Sequence, residues 1–456
     1  MPANAPSPTR VLVERLLSLN YEDIPQTVID ATKKTLMDTL MVAMAGVQNS
    51  GIDELLKTGQ FDGQAQSTVW GDGRKVPASS AALINSVVAS ALDYDTLTVS
   101  VHPDAVVVAA ALAVAEYTGA NGREFLRALV IGNETICRLA LSATGAQRGW
   151  SPTALYGGYG AAMAAACLLK LDVNKTLDAL GIVLSCGAGS QQATVERALS
   201  RRIQPGFSTG NGVMAALSAQ AGITGSHAVF EGKFGLWALY QPGDPVAFLH
   251  DLGTGFMLLK TGFKKYPVCG GSHAAVAALE RLMGEHALTE RDVSKVDVFI
   301  TPLAFRLVGT DMDASLDPRI YAQYSLAYAL AAVLRFGSLS LRHLDPNIVL
   351  DPAMGDFVSR VRVQEMRDEV PDLLALAPAR VRVTLTGGDV LEQTVPHVPG
   401  SCESPLTDEE LMRKYESCAE ISAKPMDVLT LKELANGIST LETADEVGAI
   451  VRFLVH

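Results

Sequence analysis

Residues 379–395 read ARVRVTLTGGDVLEQTV, and this stretch decides the fold class. Apolar and polar residues alternate on both sides of Gly387-Gly388, as they do in half-buried strands. Two glycines at that point supply the positive φ angles of a type I′ turn, so the stretch predicts a β-hairpin. Working outward, Lys295 to Thr301 (KVDVFIT) shows the same alternation and predicts a further strand. Helical patterns lie between them, at Val276–Met283 and Ser325–Leu334. Residues 263–400 therefore read as a small α+β unit.

The rest of the chain reads differently. Pro25 to Gly46 carries an apolar stripe (Val28, Ile29, Leu36, Leu40, Met44) between an N-terminal proline and a C-terminal glycine, which predicts a helix. Further helices are predicted at 79–91, 104–118, 122–143, 158–169, 175–186 and 212–221. No strand-like alternation of useful length occurs before residue 290. After Pro399-Gly400 the capping-box pattern Thr407-Asp-Glu-Glu410 restarts helix. The expected fold is mainly α: a large helical domain built from residues 1–262 and 401–456, with an inserted α+β lid at 263–400. The first eight residues, rich in Pro, Ala and Ser, are expected to be disordered.

Composition narrows the function. At 456 residues, 48% hydrophobic and 19% charged, the chain can bury a substantial core. A net charge of −12 without a Lys/Arg run argues against nucleic acid. An acidic protein can still take an anionic ligand, through a local cationic pocket. The six cysteines are far apart and include no Cys-x-x-Cys pair, which disfavours zinc ribbons, redox motifs and a disulfide framework. No signal-peptide core opens the sequence, and the apolar run at 36–45 contains Asp38 and is too short for a membrane span. A cytoplasmic chain that uses no metal and no cofactor is expected.

Four stretches could carry chemistry, and each also has an ordinary structural reading. Asp93-Tyr94-Asp95-Thr96 with His102-Pro103 gathers carboxylates, a hydroxyl and an imidazole, or is simply a loop between helices. Ser151-Pro152-Thr153 leads into a glycine-rich helix that could present N–H groups to an anion or merely pack closely. Arg201-Arg202 could clamp a carboxylate, or be solvated surface. Lys264-Lys265-Tyr266-Pro267-Val268-Cys269-Gly270-Gly271-Ser272-His273 places lysine, thiol and imidazole at a helix start suited to a carboxylate. A Cys–His nucleophile there lacks a third orienting group, and the spacing is not that of a phosphate-binding loop.

In this order, these stretches resemble the MmgE/PrpD family, which includes 2-methylcitrate dehydratase, cis-aconitate decarboxylase and iminodisuccinate epimerase. The resemblance also rests on HPDAVVVAAALAVAEYTGANG from His102, ALVIGNETICRLA from Ala128, QPGFSTGNGVMAALSAQAGITG from Gln204 and AQYSLAYALAAVLRFG from Ala322. It covers roughly residues 20–435 and implies a homodimer with an active site between helical domain and lid. Carried over residue by residue, it implies a pocket of Asp93, Thr96, His102, Lys264, His273 and Tyr328. Cys269 stands where some members have Cys and the decarboxylases have His. Three positions depart from the pattern. Ser151 replaces a histidine, Arg201 replaces a lysine, and the segment between Asp93 and His102 is one residue short, which displaces Thr96.

The implied activity is a cofactor-independent lyase acting on a small di- or tricarboxylate, with dehydration of a 2-methylcitrate-like substrate first. Decarboxylation and epimerisation share the same carbanion problem. In the expected roles His102 moves the proton, with Asp93 orienting it, and Tyr328 donates a proton. Lys264, Arg201 and His273 hold carboxylates beside Thr96, Ser151 and Cys269. A dimer that kept the fold and only binds carboxylates is the alternative of another class.

Overall fold

A computed structural model of the chain describes residues 7–49, 51–58, 61, 63–145, 148–196, 198–310, 317–366, 375–422 and 425–455. The chain is mainly α. Residues 1–6 of the proline-rich start lie outside the described residues. Ser7 already caps a helix, α1 (Pro8–Ser18), by accepting from the Arg10 N–H at 3.3 Å. Two compact units are present. One comprises residues 1–91, 95–261 and 422–456, and the other comprises residues 92–94 and 262–421.

The first unit is helical. Its main elements are α2 (Gln26–Gly46), α3 (Ala78–Ser90), α4 (Pro103–Thr118), α5 (Gly122–Ser142), α6 (Pro152–Leu168), α7 (Val173–Leu184) and α8 (Ser200–Gln220), joined by a later helix at Val428–Ser439. Helix α4 packs against α3, α5 and α6, and every residue from Pro103 to Ala115 is buried. Its alanines and valines leave no polar stripe because no side of those turns meets water.

Two helices start earlier than their sequence suggests. The expectation placed α8 at Gly212, but it begins at Ser200 and runs through Pro205. Its glycines are not breakers. A Cβ on Gly212 would lie 2.4 Å from the Gly158 carbonyl oxygen and 2.7 Å from Ala161 Cβ, so α8 and α6 approach backbone to backbone. The same glycine-rich face hid the first turns of α6. Among the described residues no helix is long and apolar enough to cross a membrane.

The second unit holds α9 (Gly270–Glu285), β1 (Val293–Ile300), α10 (Pro318–Tyr324), α11 (Leu326–Phe336), β2 (Val361–Glu365), β3 (Ala379–Leu385), β4 (Val390–Val395) and α12 (Asp408–Ile421). The sheet order is β2-β1-β3-β4, with β1 and β2 parallel and the other neighbours antiparallel. Val296, Val298 and Ile300 of β1 and Ala379, Val381 and Val383 of β3 are buried, and α9 covers the sheet. The expected hairpin is present, but its turn is not type I′. Only Gly388 takes a positive φ, of 94°, and Gly388 N–H donates to the Leu385 carbonyl at 3.0 Å while Leu385 N–H donates to Asp389. One left-handed glycine following a tight turn is the three-residue hairpin solution. Strand β2 has half-buried residues on both faces and gave no alternation to read. The capping box before α12 forms as expected, with Thr407 and Glu410 exchanging backbone-to-side-chain bonds at 3.0 and 3.2 Å.

One buried polar network in the first unit fixes the backbone near Thr96. Asp104, in the first turn of α4, accepts from Thr96 Oγ1 at 2.5 Å and from Asn133 Nδ2 of α5 at 3.2 Å. Thr35 of α2 also bonds it, and the buried Asp38 repels it. Burial is the largest effect and raises its pKa from an ordinary 3.8 to about 6, against the hydrogen bonds that lower it. An acid whose pKa rises on folding favours the folded state where it is protonated. That contribution is complete below 3.8 and lost as pH rises through about 6. Relative to Asp104→Asn, the wild type should therefore lose roughly 2 kcal/mol of stability between pH 4 and pH 7. Parallel urea-unfolding curves at the two pH values check this, and equal pH slopes would contradict it.

Candidate active site

Lys264 is the centre of the second unit's polar cluster. It follows Phe263, whose N–H donates to the Gly400 carbonyl at 2.9 Å, and it is only 5% exposed. Its ammonium donates to Asp93 Oδ1 and to the Asp93 carbonyl, each at 2.7 Å. Asp93 is equally buried, and its second carboxylate oxygen accepts from the Tyr324 hydroxyl at 2.8 Å. An ammonium has three donors, and among the described residues the third finds no partner. Asp93 has a φ of 49°, a left-handed conformation that Asp tolerates better than most residues.

The neighbours of Asp93 are held to the same unit. Gln323 Nε2 donates to the Leu92 carbonyl at 2.7 Å, and Tyr94 hydroxyl donates to the Lys265 carbonyl at 3.0 Å. Lys414 Nζ donates to the Tyr94 carbonyl at 2.9 Å and stands over the Tyr94 ring. Every backbone carbonyl from Leu92 to Tyr94 thus takes a side-chain donor from residues 264–414. This is how a three-residue piece of chain becomes part of the second unit.

His273, on the first turns of α9, is fully buried. Burial pushes its pKa down to about 3, and the Lys264 charge adds to the effect, so the ring is neutral at physiological pH. The carbonyls of Val268, 3.2 Å from Nε2, and Pro399 face the ring. Nε2 then carries the proton, and Nδ1 has no hydrogen-bond partner among the described residues. Tyr266 packs edge-on against the same ring. Cys269 is the N-cap residue of α9, is buried, and donates its backbone N–H to the Gln323 carbonyl at 2.9 Å.

Tyr328, on α11, is buried, and its hydroxyl donates to the His343 carbonyl. Its phenol pKa is raised, chiefly by burial. The expected role as a proton donor would require that hydroxyl to leave His343. It is Tyr324, four residues earlier, that reaches Asp93.

The first unit holds the other expected residues. His102 is the N-cap of α4, and its N–H donates to Thr153 Oγ1 at 3.0 Å, which ties the start of α4 to the start of α6. Its Nδ1 lies 3.1 Å from Asp95 Oδ2, at angles that fall short of a hydrogen bond. Asp95 is almost fully buried, and His102 keeps 24% of its side chain exposed. Asp95 is thus a carboxylate in direct contact with His102. Thr96 is turned to Asp104 in the helical core. Ser151 is the N-cap of α6, but its hydroxyl makes no capping bond, and its N–H donates to the Gly189 carbonyl at 3.0 Å. Arg201 lies in the first turn of α8 and is partly exposed, whereas Arg202 is buried.

Sequence reasoning missed Tyr324, Asp95 and Asp104 as partners. Asp95 was visible as the carboxylate nearest His102 in the chain. Tyr324 gave no such signal, since it lies 231 residues from the carboxylate it binds.

The geometry can be set beside known proteins. The family model described as the MmgE/PrpD N-terminal domain matches residues 10–249, and the MmgE/PrpD C-terminal domain matches residues 266–436. The chain is 24% identical to a cis-aconitate decarboxylase-like protein, oryM, of Aspergillus oryzae, over 98% of this chain and 97% of the relative. It is 25% identical to a cis-aconitate decarboxylase of Aspergillus terreus, over 93% of this chain and 91% of the relative. It is 23% identical to the cis-aconitate decarboxylase of Mus musculus, over 96% and 91%. With both family domains matched in order across most of its length, this chain belongs to the MmgE/PrpD family.

Proposed function

We propose that this chain is a lyase acting on a small polycarboxylate, and that it eliminates water from a citrate-like tricarboxylate. The observation that supports this reading is the buried Lys264 ammonium. Two of its donors are committed to Asp93, and its third has no partner among the described residues and stands beside a neutral imidazole. A buried cation that keeps a donor in reserve suits a carboxylate better than any neutral ligand.

Removal of a proton next to a carboxylate builds negative charge on that carboxylate. A fixed ammonium stabilises the charge without having to reorganise as it develops. His273 is neutral, so it adds no competing charge, and its Nδ1 can accept a hydrogen bond from a hydroxyl. The imidazole of His102, with Asp95 beside it, is the residue type suited to moving a proton near neutral pH. Arg201 is assigned to a second carboxylate.

A second reading is decarboxylation, which the names of the relatives favour. The departure at Cys269 weighs against it, because the decarboxylases the chain resembles have histidine there; the histidine that Ser151 replaces belongs to the family pattern, so its loss weakens both readings. Serine cannot serve as a base near neutral pH.

Proton NMR in D₂O with citrate, 2-methylcitrate, cis-aconitate and iminodisuccinate tests the reaction class in one experiment. The proposal expects a new alkene signal from a citrate-type substrate. Decarboxylation of cis-aconitate would replace the elimination reading with the second. Deuterium exchange alone would make the chain an epimerase, and binding without any change would make it a carboxylate-binding protein. His102→Ala should lower kcat by about 10²–10⁴ while the circular dichroism spectrum stays unchanged. Unaltered turnover would remove His102 from the chemistry. Arg201→Ala should raise KM by about tenfold or more, and an unchanged KM would take the residue out of substrate binding.

A further inference from the structure

We propose that the second unit carries a separate binding site for the phosphate or carboxylate group of a small molecule, with Arg360 and Arg291 as its cations. The site is a cavity between the start of β1, the end of β3 and the helix Pro352–Ser359. It goes beyond the lyase reading and does not rest on it.

The cavity has a volume of about 280 Å³. Val293 and Phe357, both buried, form its apolar side, while Glu290, Arg291, Arg360 and Thr386 line the rest. It stands apart from the cluster around Lys264. Strand β1 is eight residues long and leads on to Ala304, which packs against Gly271 at the start of α9. At about 3.3 Å per residue, the strand places the cavity roughly 20 Å from that helix start.

Arg360 follows the helix Pro352–Ser359 and is half-buried. Its Nη1 donates to the carbonyls of Glu290 and Val293 at 3.0 and 3.2 Å, and the guanidinium lies over the Phe357 ring, 4.8 Å from the centroid. These contacts fix the plane of the group and occupy one nitrogen of the three. The edge formed by Nε and Nη2 has no partner among the described residues. That edge takes two oxygens of a carboxylate or phosphate through parallel hydrogen bonds. A guanidinium already held in place loses little further freedom on binding.

The charges around the cavity favour an anion. Arg291 is exposed, and among the described residues it too has no partner. Asp292 is turned away: its carboxylate accepts from the Thr289 N–H at 2.8 Å and from the Thr289 hydroxyl at 2.6 Å. Among the described residues Glu290 is the one carboxylate that lines the cavity, so two cations face one anion. In a chain of net charge −12, such a local excess of positive charge is where an anionic ligand can be held. The Ser294 hydroxyl proton is spent on the Thr384 carbonyl at 2.9 Å, which leaves the Thr386 hydroxyl to donate. A guanidinium edge, a second guanidinium and a hydroxyl select an oxyanion over a neutral ligand, and the volume leaves room for a small organic body beside it.

The test uses the full-length chain labelled with nitrogen-15 at arginine. It follows the Arg360 Nε–H resonance, identified by its loss in Arg360→Lys, so the signal reports this cavity. Inorganic phosphate and succinate are titrated separately, with sodium chloride at matched ionic strength as the reference. The resonance should move saturably with at least one of the two anions and not with chloride. Saturation by phosphate alone assigns the site to phosphate groups, and saturation by succinate alone assigns it to carboxylates. Arg291→Gln, which leaves the Arg360 contacts in place, should weaken the binding about tenfold. A resonance that responds to neither anion beyond the chloride reference would overturn the proposal, as would an affinity unchanged in Arg291→Gln.

Discussion

The buried ion pair of Lys264 with Asp93 is the constraint around which the candidate site is arranged. Two charges taken out of water are stabilised only when their geometry is good and their remaining donors and acceptors are met. The structure meets that condition on the aspartate side with Tyr324 and on the backbone side with Gln323, Tyr94 and Lys414. Among the described residues, one N–H of Lys264 is left without a partner. In a buried group an unmet donor is a liability for the fold, and a bound carboxylate would remove it. Burial is the main cause of the depressed pKa of His273, and the neighbouring Lys264 charge adds to it.

The first unit solves a different problem, that of packing helices closely enough to exclude water from all sides of α4. Alanine and glycine do this, at the contact of Gly212 with the Gly158 carbonyl and along the buried turns from Pro103 to Ala115. Several polar groups in that core are held in networks. The Asp104 network fixes Thr96, and Arg138 of α5 pairs with Glu134 and donates to the carbonyls of His250, Asp251 and Gly255. The segment that begins with Asp95 and ends with His102 is thus anchored in the helical unit. Residues 92–94, just before it, are anchored elsewhere.

Much of this was legible in the sequence, and what was not has a physical reason. Helices with a proline at the start and a glycine at the end, such as α2 and α4, were readable to within a residue or two. The start of α8 was not, because Pro205 and three nearby glycines look like a breaker to any local rule, and only the close approach to α6 explains them. The hairpin at 379–395 was readable, but the single left-handed residue at Gly388 was not, because Gly-Gly permits several turns. At the site, Asp93, Lys264 and His273 were found through their resemblance to a family. Their grouping, with Tyr324 on the Asp93 carboxylate, is a long-range side-chain fact that no spacing encodes.

The central claim is that the Lys264–Asp93 pair receives a substrate carboxylate. Calorimetric titration of citrate into the wild type and into the double variant Lys264→Met with Asp93→Asn tests it most directly. Removing both charges together leaves neither of them buried alone. The account predicts measurable binding to the wild type, weakened by about tenfold or more in the double variant. Equal affinities, or a wild type that binds no citrate, would contradict it.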